Sequence, residues 1–298
     1  MPPTFWSGFT QCFPPKPDFV EKDLPDLTSK VYIVTGATSG VGKELARLLY
    51  SRRAPLGRDP VVPPPDLGDL RSVKAAAERF LASETKLHVL FNNAGVMSAD
   101  DNDMEKTVQG YEKQLGVNCL GPFLLTKLLT PILVATAADR STHTHEVRVV
   151  FVSSFAAEMY HEKDVGIDLD NLDFHHPTAS IHRYGISKVG VWAYGNELTK
   201  RFAAKGVMAV PVNPGNLRSE LFAQQGFFFR LQVALMHYPA VRGAYTELFA
   251  GFSPKLPQIQ LDMSSLSDAC SQSARSCSWQ RNQRGRVAQT SQESSGVE

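Results

Sequence analysis

A chain of 298 residues, 43% hydrophobic and 20% charged, can bury one large core or two modest ones, and its pattern reads as one domain with tails. With 31 basic against 30 acidic residues and a net charge of +1, nothing points to nucleic acid or an acidic partner, so a small molecule is the default ligand. The cysteines, Cys12, Cys119, Cys270 and Cys277, form no CxxC pair, which argues against a disulfide scaffold or a zinc site.

No run approaches the roughly 18 apolar residues of a membrane span, and the N-terminus lacks a basic start followed by an apolar core. The expectation is a cytoplasmic protein with no metal and no membrane contact. Residues 1–29 carry six prolines among Phe5, Trp6, Phe9, Phe13 and Phe19. Prolines this dense preclude an amphipathic helix and predict an extended arm packed on the body.

Val31 to Tyr50 reads VYIVTGATSGVGKELARLLY. An apolar β-forming run meets glycines and then apolar positions at helical spacing, which predicts strand, glycine loop and helix, with Leu45, Leu48 and Leu49 inward and Lys43 and Arg47 outward. Gly36, Gly40 and Gly42 stand where the chain must turn tightly, let phosphates approach the backbone and pack helix on strand. The helix then opens with free N–H groups toward an anion.

Ser51 to Asp66 follows with five prolines and one short β-like run, Val61 and Val62, so it has room for one strand at most. Asp69 is the expected N-cap of a helix through Val73, Ala76, Ala77, Phe80 and Leu81. Leu87 to Asn92 reads as a buried strand ending in Asn92, Asn93, Ala94 and Gly95, where open α/β sheets place ligand contacts. Residues 110–135 form a long apolar helix in which Asn118 and Pro122 predict a local kink.

Val147 to Val152 is a third strand, with Ser153 and Ser154 at its end, and Asp164 to Phe174 reads as a solvated acidic loop. Tyr184 to Ala204 is a helix stopped by Gly206, and Val207 to Val212 a fourth strand running into Asn213, Pro214, Gly215 and Asn216. The Phe-rich stretch 218–251 is open to three readings: core, substrate lid or membrane-facing helix. From Gln258 the pattern dissolves into Ser, Gln and Arg, the composition of a disordered tail over 258–298. Strands alternating with helices over 30–257 predict an α/β fold, a doubly wound parallel sheet of Rossmann type.

Chemistry concentrates at Tyr184 and Lys188, four residues apart and so on one helix face. A phenol near pKa 10 is a poor base, but an ammonium about 4 Å away at an effective dielectric near 20 supplies on the order of 4 kcal/mol toward the phenolate. Ser154, at the end of a neighbouring strand, can donate to a substrate oxygen beside that phenol.

Thr35-Gly36-Ala37-Thr38-Ser39-Gly40-Val41-Gly42, Asn92-Asn93-Ala94-Gly95, Asn118, Ser154, Tyr184-Gly185-Ile186-Ser187-Lys188 and Pro214-Gly215 together resemble the ordered motif set of the short-chain dehydrogenases/reductases. The resemblance spans about residues 28–255, and the long interval from Ser154 to Tyr184 looks most like the retinol-dehydrogenase-like branch. It implies that Tyr184 gives or takes the proton, Lys188 lowers its pKa and holds the nicotinamide ribose, Ser154 positions the substrate oxygen, and Asn118 supports a relay water.

It also implies cofactor contacts at Gly36, Ser39, Gly40, Val41 and Gly42 of the pyrophosphate loop, Asn93, Asp66 near the adenine, Lys127, Tyr184, Lys188, and Leu217 and Ser219 beside the nicotinamide. The departure from the family is the second strand, its helix and most of the third strand, compressed into Ser51 to Asp66. That region reads the adenosine ribose. Arg52, Arg53 and Arg58 could meet a 2′-phosphate, which leans the cofactor to NADP, with NAD the alternative.

The leading expectation is an NAD(P)-dependent oxidoreductase interconverting an alcohol and a carbonyl on an apolar small molecule, with homo-oligomers through family-typical helices. The rival is a catalytically degenerate family member acting as a binding or scaffold protein.

Overall fold

The computed structural model describes residues 15–52, 65–98, 100–101, 104–162, 165–218 and 238–257. Val61, Val62, Arg53, Arg58, Ser219, Phe227 to Phe229 and the tail from Gln258 lie outside these residues, and with them the readings of most of the compressed segment, of the Phe-rich stretch before Tyr238 and of the tail. From Ala240 that stretch is helical, and Ala244, Leu248 and Ala250 pack as core.

Four parallel strands form the main sheet in the order β1 (Tyr32–Val34), β2 (Val89–Asn92), β3 (Val147–Val152) and β4 (Val207–Val212). Helices α1 (Gly40–Ser51), α2 (Leu70–Ser83), α3 (Lys113–Ala138), α4 (Ala156–Met159) and α5 (Ser180–Phe202) follow the chain. A short pair, β5 (Leu217–Arg218) with β6 (Tyr238–Pro239), precedes α6 (Ala240–Phe252).

Alternation along each strand sends side chains to opposite faces, and helices cover both. Leu90, Val149 and Phe151 pack under α2, α3 and α5 with Val73, Phe80, Leu129, Leu133 and Val191. Val89, Phe91 and Val150 pack under α1 and α6 with Leu45, Leu48, Leu49 and Leu248. Phe19, Leu24 and Leu27 of the N-terminal arm are buried in that second cluster, Phe19 meeting Phe249 edge to face. The fold is therefore the expected α/β sheet wound on both sides. In strand order it matches one half of a doubly wound sheet, and among the described residues no strand pairs on the outer side of β1.

Asp69 caps α2 as expected, its carboxylate accepting from Arg71 N at 3.0 Å. Gly206 ends the α5 segment with φ of 80°. Helix α5 starts at Ser180, a turn earlier than the sequence suggests, because the Asp101 carboxylate reaches across and accepts from Ser180 N at 2.7 Å. The kink expected at Asn118 and Pro122 is a π-helical turn over Gly116–Leu120, with Pro122 in the first turn of the α-helix that follows.

Helix α3 corrects one reading. By length and composition Lys113–Ala138 could cross a membrane, contrary to the expectation that no stretch is that apolar, yet half of its most apolar window is buried within the protein. At the far end of the sheet, buried Arg148 of β3 donates to Ala250 O at 3.0 Å and Ser253 O at 2.9 Å, which satisfies carbonyls at the C-terminus of α6.

Candidate active site

The carboxyl ends of all four strands open onto one rim, and the polar residues singled out in the sequence stand there: Thr35 after β1, Asn93 after β2, Ser154 after β3 and Asn213 to Gly215 after β4.

The glycine loop is built for close approach. Gly36 and Gly40 have φ of 69° and 53°, the left-handed region that side chains disfavour. A Cβ on Gly36 would lie 2.9 Å from Ala94 Cα, and one on Gly42 would lie 2.5 Å from Gly36 O and collide with Asn93 Nδ2. Ser39 is the N-cap of α1 in an extended conformation and gives no side-chain cap. The first-turn N–H groups thus keep their partial positive charge for an outside anion.

Asn93 holds this loop rather than leaving its amide free. Its Nδ2 donates to Thr35 O at 2.9 Å and Gly36 O at 3.5 Å. Thr35, which the sequence reading gave no role of its own, ties β1 to β2: Oγ1 donates to Phe91 O at 3.2 Å and accepts from Asn93 N at 3.0 Å and Ala94 N at 3.1 Å. This cradle and the uncapped helix fit a dinucleotide whose pyrophosphate rests on α1.

Tyr184, Lys188, Ser154 and Asn118 come together on the far side of the rim. Tyr184 is buried, and burial pushes its phenol up to about 12, a hydrogen bond with Ser154 pulling the other way. Lys188 is buried as well. Its Nζ donates to Val152 O at 2.9 Å and lies 5.7 Å from the centre of the Tyr184 ring. Burial lowers it to about 8, with Cys119 and Glu247 opposing. The expected depression of the phenol by the ammonium is therefore absent in this state: the lysine is turned to a main-chain carbonyl, and desolvation of the phenol dominates.

Asn118 Oδ1 accepts from Val96 N at 2.7 Å, and its Nδ2 donates to Val96 O at 2.9 Å and Ser187 Oγ at 3.1 Å. A Cβ on Gly95 would sit 3.2 Å from Asn118 Oδ1 and 3.3 Å from Lys188 Nζ, so both groups border the space that this glycine leaves open.

The other expected contacts divide. Leu217 is buried against Gly243 of α6, and Asp66 accepts from Gly68 N at 2.8 Å within its own turn ahead of α2. Lys127 is exposed on α3, roughly 13 Å along the helix axis from Asn118 at 1.5 Å per residue, and the structure does not bring it to the constellation. Arg52 caps the C-terminus of α1, about 18 Å of helix away from the glycine loop, so it does not stand at the rim.

Glu247 escaped the sequence reading altogether. It is fully buried on α6, neither carboxylate oxygen has a hydrogen-bond partner among the described residues, and burial raises it to about 8 against the attraction of Lys188. The signal was available: a charged residue on the apolar stripe of Gly243, Ala244, Leu248 and Gly251.

Comparisons with known proteins agree with this geometry. A family model described as short chain dehydrogenase matches residues 53–164. The short-chain dehydrogenase/reductase bet4 of Neocamarosporium betae is 44% identical over 275 positions, covering 84% of this chain and 79% of that protein. The short-chain dehydrogenase/reductase sthC of Phaeosphaeria nodorum is 43% identical, covering 85% and 87%. Since 84% of 298 residues is about 250, some 25 of the 275 positions in the bet4 alignment have no residue in this chain. Among solved structures, NADPH-bound carbonyl reductase from chicken fatty liver superposes with a TM-score of 0.54 at 20% identity, covering 76% of this chain and 93% of that one. A 3-ketoacyl-(acyl-carrier-protein) reductase from Brucella melitensis complexed with NADH gives 0.55 at 21% identity, covering 77% and 93%. These two share the fold.

Proposed function

Because the chain belongs to the short-chain dehydrogenase/reductase family, whose members are nicotinamide-dependent oxidoreductases, we propose that it interconverts an alcohol and a carbonyl on an apolar small molecule, with NADP as the preferred cofactor. One observation carries the chemistry: a buried phenol kept protonated at neutral pH, hydrogen-bonded to a serine and next to a buried lysine, beside a glycine cradle for a dinucleotide. The nicotinamide, when bound, supplies or accepts the hydride.

In the reducing direction Tyr184 Oη–H is the proton source for the carbonyl oxygen as that oxygen gains charge, and Ser154 Oγ–H donates to the same oxygen and holds it in line. Lys188, charged below about pH 8, favours the tyrosinate left behind once its ammonium turns from Val152 O toward the rim. Asn118 keeps the strand-end loop at Val96 fixed next to Lys188. The Phe-rich composition of 218–251 supports an apolar substrate.

The preference for NADP rests on Arg58, since Arg52 lies at the wrong end of α1 and Arg53 follows it directly in the chain. A second reading, a binding or scaffold protein without turnover, is favoured by the positions this chain lacks against its relatives and by the outer side of β1, on which no strand pairs among the described residues. Fluorescence titration with NADPH and NADH separates the two. Micromolar binding with NADPH preferred supports the enzyme; no saturable binding of either nucleotide supports the scaffold.

A further inference from the structure

Next to Tyr184 in the chain, Arg183 is the largest fully buried side chain among the described residues. Its Nη1 donates to Thr178 O at 2.6 Å and Asp101 O at 3.1 Å, its Nη2 to Asp100 O at 3.4 Å, and its Nε lies 3.4 Å from Glu112 Oε1. Glu112, equally buried, caps the start of α3 by accepting from Leu115 N at 2.7 Å. Gln114, fully buried, closes the cluster: Nε2 donates to Ser180 O at 3.1 Å and to Glu112 Oε1 at 3.4 Å, and Oε1 accepts from Ser98 N at 3.2 Å. Ser180 Oγ in turn donates to Ser98 O at 3.0 Å.

Three pieces of chain meet here: the loop after Gly95, the start of α3 and the first turn of α5. An ion pair this deep is a poor stabiliser, because desolvation of both charges offsets their attraction, and an apolar cluster of equal volume does as well or better. What a densely bonded polar cluster does supply is a single geometry, since any slip leaves a buried charge without its partner. The same loop is pinned a second time, five residues earlier than Asp101, where Asn118 binds both main-chain groups of Val96. The loop is thus fixed at both ends, to α3 at Val96 and to the first turn of α5 at Ser98 and Asp101.

We propose that Arg183 and Glu112 are positioning residues that set the first turn of α5, and through it the Tyr184 phenol, in register with Ser154 and Asn118. The proposal rests on Tyr184 as the proton-transferring group. Glu112→Gln keeps the shape and removes the charge; Ser180→Ala removes only the hydroxyl that joins α5 to Ser98.

The test uses the full chain labelled with ¹³Cζ-tyrosine, the Tyr184 signal being the one lost in Tyr184→Phe. Glu112→Gln is expected to shift or split that signal while Tyr32 and Tyr245 stay in place. With NADPH and the probe 9,10-phenanthrenequinone, kcat is expected to fall about tenfold or more with KM for NADPH within about twofold, as a misplaced group near the reacting atoms requires. Ser180→Ala is expected to move the signal in the same direction and less, and it decides the matter if Glu112→Gln does not fold.

An unmoved Tyr184 signal in a folded variant, with only a lower melting temperature, overturns the proposal and leaves a structural pair. Full turnover in Tyr184→Phe instead removes the proton-donor reading, and with it the reason for positioning, even where the signal shift shows that the cluster orients the phenol.

Discussion

Asn118 grips Val96 as one strand grips another, accepting from its N–H at 2.7 Å and donating to its carbonyl at 2.9 Å. The π-helical turn makes this possible, because the extra residue aims the amide sideways at the loop after β2 instead of along the helix surface. Asn118→Ala would leave both Val96 groups without protein partners at a cost of about 2–3 kcal/mol. Lower urea midpoints and faster hydrogen exchange at Val96 are the expected result. An unchanged Val96 exchange rate would mean that the loop is held elsewhere.

Tyr184→Phe deletes one oxygen from a site that otherwise keeps its packing. Turnover should fall by about 10³-fold or more with NADPH affinity within a few-fold, since the contact matters only as the proton moves. Single-turnover kinetics beside NADPH titration separate the two quantities, and a variant as fast as the parent would remove Tyr184 from the mechanism.

The pH dependence follows from the same burial. With the phenol at about 12, Tyr184 stays protonated from pH 6 to 9 and contributes no limb there. Lys188 at about 8 is charged below that value and neutral above it, so kcat/KM for reduction should decline as pH rises through about 8. Glu247 titrates in the same range and is coupled to Lys188, so the limb belongs to the pair until Glu247→Gln is measured. A limb that survives Glu247→Gln assigns it to the lysine.

Glu247 also makes a stability prediction with a definite sign. Its folded-state pKa, about 8, lies above the ordinary 4.5, so its contribution is intact below 4.5 and is lost as pH rises toward 8. The folded state holds a proton that the unfolded state has released. Stability should therefore fall by roughly 1.4 kcal/mol per pH unit between about 5 and 7.5 from this group. Glu247→Gln should flatten that slope in urea titrations, and an equal slope in both proteins would place the carboxyl in a more polar setting than its burial indicates.

Gly42→Ala tests the cradle. The new methyl group meets Asn93 Nδ2 and Gly36 O, so the loop must open where a pyrophosphate would rest. NADPH affinity should drop about tenfold or more while the melting temperature moves less than for a core cavity. Retained affinity would mean that the dinucleotide does not lie against this turn.

Much of this site is legible in the chain because its parts are local. The glycine loop, the Asn92-Asn93 pair at a strand end and the Tyr184–Lys188 spacing each declare a geometry within a few residues. Asn118 and Pro122 announced a distortion, though not that the turn would be π-helical. The buried partners were not legible, for a physical reason. Arg183 and Glu112 lie 71 positions apart, and each alone reads as a surface charge on a helix start. The state of Lys188 was hidden as well, because its partner is a main-chain carbonyl on β3 and no side-chain spacing encodes that contact.

The order of the strands bears on how the chain assembles during synthesis. Each strand of the main sheet pairs with the one made just before it, so the sheet can grow at a single edge as the chain emerges, with no strand waiting to be inserted between two already in place. Each pairing nonetheless joins distant residues, such as Tyr32 with Val89, Val89 with Arg148 and Val147 with Val207, and long-range parallel pairing of this kind is slow. The last step is then the docking of α6 across β2, β3 and β4, sealed when Arg148, waiting in β3, takes the carbonyls of Ala250 and Ser253. Until the ribosome has released Ser253, that guanidinium has the local His145 carbonyl, at 2.9 Å from Nε, but not the two carbonyls of α6, and the second face of the sheet stays open to chaperones.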